Sequence, residues 1–116
     1  MTDSASDYLD DIIEAAKKIQ RFTKGMTVES FREDEMAVDA VLRNFEVIGE
    51  AAKNVPDDVQ REYDDVPWSE MAGMRDKLIH GYADVDLDIV WTTIDRDLPE
   101  LTKQVERVRA DRRNQE

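Results

Sequence analysis

Apolar side chains recur at three- and four-residue spacing along most of this chain, and no stretch alternates apolar and polar residues as a half-buried strand would. Leu9, Ile12, Ile13, Ala16, Ile19 and Phe22 form one such stripe, and Ala37, Ala40, Val41, Val47, Ile48 and Ala51 a second. Val90, Trp91, Ile94, Leu98, Leu101, Val105 and Val108 form another near the C-terminus. A chain patterned this way can bury its apolar faces only by packing helix on helix. The expected fold is therefore all-α: an up-and-down bundle of four main helices plus a short connecting helix.

Local signals set the expected boundaries. Ser6 or Asp7 can cap the first helix, and Gly25 sits where it should stop. "MTVESFREDE" reads as a connector, with Thr27 or Ser30 capping a second helix that runs to about Val55 and ends before Pro56. "DDVQREYDDVP" reads as the short connecting helix and a turn. Pro67 then opens a third helix, "PWSEMAGMRDKLIH", which Gly81 should stop. Asp84 and Asp86 offer caps for a long last helix, bent by Pro99, which removes a backbone hydrogen bond. The polar tail from about residue 109, "RADRRNQE", is expected to fray.

A length of 116 residues suits one domain over residues 1–116, and the 41% apolar content suffices for a single core. There is no cysteine, hence no disulfide framework and no thiolate chemistry. No run approaches the roughly 20 apolar residues of a membrane span. "MTDSASDYLDD" lacks the basic and apolar regions of a signal peptide, so a cytoplasmic protein is expected. The formal charge of −12 opposes a uniform nucleic-acid-binding surface without excluding a local basic one. Aspartate outnumbers glutamate and arginine outnumbers lysine, a bias that fits a high-salt cytoplasm, where an acidic surface aids solubility.

Chemistry-bearing motifs are few. A single histidine and no cysteine exclude zinc fingers, zincins and di-metal bundles. "DVDLDIVWTTID" (84–95) places aspartates at calcium-loop positions but has Ile89 where the turn glycine belongs, so it reads as a carboxylate-rich helix start. What remains is "GMRDKLIHGY" (73–82). Asp76 and His80 lie four residues apart, so on a helix the carboxylate can orient the imidazole. Arg75 and Tyr82 lie seven apart and nominally share a face. Arg75 and His80, five apart, diverge by about 140° on an ideal helix. A straight helix therefore does not converge the set; either Gly81 breaks the helix so that Tyr82 swings back, or a second subunit completes the site.

Arg75, His80 and Tyr82 match the Arg-x4-6-His-x-Tyr signature of the HEPN superfamily, and within it the chain resembles the HepT-like toxins. Two further blocks carry the likeness: "RNFEVIGEAAKNVP" (43–56), which resembles that family's second-helix block, and "VPWSEMAGMRDKLIHGYADVDLDIVWTTIDRDLPEL" (66–101). The resemblance implies a homodimeric, HEPN-like helical bundle acting as a metal-independent endoribonuclease, with no cofactor. It implies a partner encoded beside it, a nucleotidyltransferase antitoxin of the MNT type that adenylylates the motif tyrosine, here Tyr82. Asp76 occupies the position after the arginine, where the family accepts Asn or Asp. The departure is the acidity, which puts the RNA-binding surface in doubt rather than Arg75, His80 and Tyr82.

The residue types suit that chemistry. Metal-free RNA cleavage needs a base for the ribose 2′-OH and an acid for the leaving 5′-oxygen; an imidazole can serve as either near neutral pH. Arg75 would stabilise the charged phosphorane, and Tyr82 would bond the phosphate or position His80. One histidine is not both base and acid in one step, so a two-fold dimer with both motif copies in one cleft is expected. Lys53, Arg61 and Lys77 are candidate phosphate guides, against the plainer reading of solvated surface. Gly49 and the alanines of "IGEAA" should permit close helix packing, with Glu50 a structural hydrogen-bond partner. Trp68 and Trp91 are expected as core or dimer-interface anchors rather than base-stacking platforms. The alternative function is a non-catalytic HEPN module that binds a nucleotidyltransferase or a nucleotide.

Overall fold

The computed structural model describes residues 4–78 and 85–115. In chain order the helices are α1 (Ser4–Phe22), α2 (Val28–Glu33), α3 (Glu35–Asn54), α4 (Asp57–Glu62), α5 (Trp68–Ala72), α6 (Met74–Leu78), α7 (Leu87–Thr92) and α8 (Leu98–Asn114). A π-helical turn at Thr93–Asp97 joins the last two. The architecture is the expected all-α bundle, with no extended strand among the described residues. α1 is its central member, packing on α3 along one side and on α8 along another, while α5 and α6 lie against α3. Leu9, Ile12 and Ile19 of α1, Val41, Phe45 and Ile48 of α3, and Leu98, Val105 and Val108 of α8 are fully buried where these helices meet. Each such side chain contributes about 1.5–3 kcal/mol through apolar burial. None of the described helices is long and apolar enough to cross a membrane.

Several boundaries differ from those the sequence suggests. Ser6 and Asp7 lie inside α1 rather than capping it, because Ala5 is buried and extends the apolar stripe by a turn. Gly25 does follow the end of α1, with φ +79°, a left-handed conformation that glycine adopts without strain. The segment after it is not a plain connector. Thr27 and Ser30 form a reciprocal capping box on α2: Thr27 Oγ1 accepts from the Ser30 N–H at 3.1 Å, and Ser30 Oγ accepts from the Thr27 N–H at 2.9 Å. Phe31 pins this short helix, fully buried with its ring centroid 5.4 Å from that of Trp91. Asp34 then starts α3, its carboxylate accepting from the Ala37 N–H at 3.0 Å.

The third expected helix is two helices, α5 and α6, separated at Gly73, whose N–H donates to the Ser69 carbonyl at 3.0 Å. Trp68 anchors α5; it is buried, and its indole N–H donates to the Tyr63 carbonyl at 2.9 Å. Ahead of Pro99, whose missing N–H cannot serve the Asp95 carbonyl, the chain widens into the π turn, and the Leu98 N–H reaches back to the Thr93 carbonyl. Asp86 caps α7, accepting from the N–H groups of Asp88 and Ile89. The stop assigned to Gly81 and the cap assigned to Asp84 fall outside the described residues.

The polar segment from about 109 is helical, with α8 continuing to Asn114. Arg109 Nη1 lies 3.0 Å from Asp10 Oδ1, Arg113 Nη2 lies 3.9 Å from the same oxygen, and Lys17 meets Glu106 at 3.6 Å. On the opposite side the Tyr63 hydroxyl donates to the Asp111 carboxylate. That hydrogen bond, then desolvation, pushes the Tyr63 phenol up to about 12.

Candidate functional site

Arg75 rides on α6, a helix of five residues whose Met74 and Leu78 are buried. With those two facing the core, the Arg75 side chain turns outward and is 53% exposed. It borders an open cleft of about 410 Å³ shared with Tyr8 and Asp11 of α1 and with Arg43, Glu46, Val47 and Glu50 of α3. The α3 residues line it together because spacings of three and four place them on one helix face. α5, the helix that leads into α6, reaches α3 closely at Gly49. A Cβ there would stand 3.4 Å from the carbonyl oxygens of both Met71 and Ala72, the near limit of ordinary contact, so a side chain beyond the first carbon would push the helices apart. The packing role expected of Gly49 is thus observed. Glu50 is also the hydrogen-bond partner expected, accepting from Asn54 Nδ2 at 3.3 Å on its carboxylate and 2.8 Å on its backbone carbonyl.

The electrostatics of the cleft centre on Glu46. Its Oε1 lies 3.7 Å from Arg75 Nε and its Oε2 lies 3.8 Å from Arg43 Nη1. These are ion pairs beyond hydrogen-bond length, so both guanidinium groups keep donors for another anion. Arg75 Nη1 also lies 3.5 Å from Asp76 Oδ1. Asp76 itself is 88% exposed and pairs with the neighbouring arginine. Its expected partner His80, like Tyr82, lies outside the described residues. A phosphate entering the cleft would meet two arginines, with Asp11, Glu46 and Glu50 around them. Among the described residues no group of histidine and carboxylate side chains is arranged to hold a metal ion.

Other basic residues singled out in the sequence do not gather here. Lys77, on the far side of α6, lines a different cleft of about 560 Å³ together with Met71, Met74, Arg96 and Glu100. Arg61 borders a third, with Asp57, Asp64 and Trp68. Lys53 is exposed near the end of α3. Sequence reasoning missed the actual neighbours of Arg75. Arg43 and Glu46 could have been found from their three-residue spacing within "RNFEVIGEAAKNVP". Tyr8 and Asp11, brought in by tertiary packing of α1, carried no local signal.

Known proteins are similar to this chain over most of its sequence. The family model described as Ribonuclease HepT-like matches residues 12–108. A Thermococcus cleftensis protein named "Probable ribonuclease HepT" is 46% identical over 109 residues, covering 94% of this chain and 99% of that protein. A "Putative RNase" of Caldanaerobacter subterraneus subsp. tengcongensis is 43% identical over 101 residues, covering 87% of this chain and 90% of its own length. Another "Putative RNase", from Methanocaldococcus jannaschii, is 45% identical over 101 residues, covering 87% of this chain and 84% of that one. No solved structure gives a significant match. With 97 consecutive residues inside the family model and near full-length relatives, the chain belongs to the ribonuclease HepT-like family.

Proposed function

We propose that this protein is a metal-independent endoribonuclease that works as a two-fold homodimer, with Arg75, His80 and Tyr82 as its catalytic residues. The observation that carries the reading is Arg75. It stands exposed at an open cleft, five and seven residues ahead of His80 and Tyr82, inside the stretch that matches the ribonuclease family. In the reaction a base removes the proton of a ribose 2′-OH, and its oxygen attacks the adjacent phosphorus. The bond from phosphorus to the 5′-oxygen breaks, an acid protonates that oxygen, and the products are a 2′,3′-cyclic phosphate and a 5′-hydroxyl. His80 of one copy serves as base and His80 of the partner subunit as acid. Arg75 neutralises the charge that builds on the phosphorane. Asp76 supports the set from the position beside Arg75.

The same reading makes the chain the toxin of a type II toxin–antitoxin pair, silenced when an MNT-type nucleotidyltransferase adenylylates Tyr82. An added AMP places charge and bulk over the Arg–His motif and keeps RNA out. Cleavage of RNA in chelator, at high salt, by wild type but not by His80→Ala tests the activity. Undiminished cleavage by a folded His80→Ala protein refutes it. Intact mass after co-expression with the neighbouring nucleotidyltransferase tests the modification: AMP-sized additions should be absent from Tyr82→Phe. One observation favours the alternative of a non-catalytic HEPN module that binds the nucleotidyltransferase or a nucleotide, namely the three carboxylates lining the Arg75 cleft. Wild type that binds the partner and never cleaves RNA would establish it.

A further inference from the structure

The chain's cations are unevenly placed. Lys17, Lys18 and Arg21 lie along the second half of α1, and Lys103, Arg107, Arg109 and Arg113 along α8. The two helices run antiparallel, because Asp10 meets Arg109 and Arg113 while Lys17 meets Glu106. This register joins the two rows into one strip, hollowed by adjoining clefts of about 510 and 600 Å³ that share Arg109 and Arg113. The strip holds seven of the sixteen basic residues but only four of the 28 acidic ones: Asp10, Glu14, Glu106, and Asp65, which pairs with Arg107. It is therefore net positive by three, while the remainder, with nine basic and 24 acidic residues, is net negative by fifteen. Arg21 and Lys103 form no ion pair among the described residues, and Lys17 and Arg113 remain 54% and 58% exposed despite theirs.

We infer that this α1–α8 strip is an RNA-docking surface, separate from the Arg75 cleft, that holds the sugar–phosphate backbone without reading its sequence. The inference rests on the reading of the chain as an RNA-cleaving protein. The Arg75 cleft, hemmed by Asp11, Glu46 and Glu50, has little positive charge to spare for more than the scissile phosphate. Phosphate neutralisation by Lys and Arg supplies most sequence-independent affinity, and the strip is the surface that offers it. α1 separates the two sites, with Tyr8 and Asp11 on the cleft side and Asp10 and Lys17 on the strip side. A strand joining them must pass around a helix about 10 Å across, so the strip serves RNAs of several nucleotides and not dinucleotides.

The test uses the full-length chain carrying Lys18→Gln, Arg21→Gln, Lys103→Gln and Arg113→Gln, all surface changes, in an otherwise wild-type and in a His80→Ala background. Binding of a labelled single-stranded RNA of about 20 nucleotides is measured against salt. Each lost phosphate contact lowers the slope of log affinity on log salt by about 0.7, so a fall of about 2 to 3 is expected, with affinity near 0.1 M salt reduced about 100-fold. Cleavage of the long RNA should fall while dinucleotide cleavage is unchanged. A control with Arg32→Gln and Arg96→Gln, which lie off the strip, should keep the wild-type slope. An unchanged slope in the strip variant, an equal loss in the control, or loss of binding to an acidic protein partner with RNA binding intact overturns the inference. RNA bound through the strip by a wild type that never cleaves would uphold this surface while refuting the proposed activity, so the two failures are distinguishable.

Discussion

Replacing Arg75 should separate catalysis from stability. Its side chain is 53% exposed and, among the described residues, is held by ion pairs at 3.7 and 3.5 Å, to Glu46 and Asp76. Exposed pairs of that kind are worth about 0–1 kcal/mol each, so Arg75→Ala should lower the melting temperature by about 8 °C at most. Loss of an electrostatic donor aimed at the transition state costs about 10²- to 10³-fold in rate, or about 2.7–4 kcal/mol of barrier. Arg75→Lys keeps the charge without the planar fork and should recover only part of that loss. Ile19→Ala gives the opposite profile. That side chain is fully buried on α1 and lines neither the Arg75 cleft nor the strip. The cavity it leaves should cost about 2–5 kcal/mol of stability, while the folded fraction cleaves RNA at the wild-type rate. The assay is a single-turnover cleavage rate beside a thermal melt, for all three variants, at a temperature where each is folded. If Arg75→Ala keeps its rate, or if rate follows melting temperature across the set, the role given to Arg75 is wrong.

The other predictions are local. Mixing wild type with His80→Ala chains in equal amounts, with subunits exchanged, should leave about one quarter of the activity if each cleft needs both histidines. About one half remains if each chain works alone, which would refute the shared site. The Tyr63 phenol, held up at about 12 by the Asp111 carboxylate, should ionise well above the ordinary tyrosine value of 10.0 in an ultraviolet titration. Its folded pKa lies above the unfolded value of 10.0, so the stabilisation is complete below about pH 10 and disappears as pH rises through 12. Asp111→Asn should bring the Tyr63 titration down, and an unmoved curve would refute the link. Asp34→Ala removes the side-chain cap of α3 and should cost about 0.5–2 kcal/mol in denaturant unfolding, whereas Asp34→Asn should cost much less.

The bundle was legible because its long helices each carry a full apolar stripe, and that signal survives any choice of neighbour. What it hid were interruptions that leave the stripe in phase. Trp68, Met71, Met74 and Leu78 keep helical spacing straight through the break at Gly73, so α5 and α6 read as one helix. In α2 a single residue, Phe31, is buried, too few for any period to register. The end of α8 was less legible for the converse reason. The stripe stops at Val108, but the last turns are held by charge, through Arg109 and Arg113 on Asp10 and Asp111 under Tyr63. Those partners lie across the fold, where local pattern does not reach. Arg75 was legible through its motif spacing, whereas Arg43 and Glu46 went unread although three-residue spacing puts them on one helix face. Tyr8 and Asp11 depend on how α1 docks, which no local pattern encodes.

A formal charge of −12 suggests a chain that nucleic acid should avoid, yet charge acts over a Debye length of about 8–10 Å at physiological salt, not over a whole molecule. Within that range, a phosphate beside Arg109 and Arg113 responds to the α1–α8 strip, and the carboxylates of α3 and α4 on other faces are largely screened. Raising the salt shortens this reach to about 3 Å near 1 M, and then only groups in direct contact contribute. Docking on the strip should therefore fade with salt far faster than catalysis at the proposed Arg75 site, where a forked guanidinium would touch the phosphate itself. An acidic surface and an RNA substrate are compatible because the same salt that mutes the repulsion also mutes the docking. What must survive is the close contact made by a few arginines.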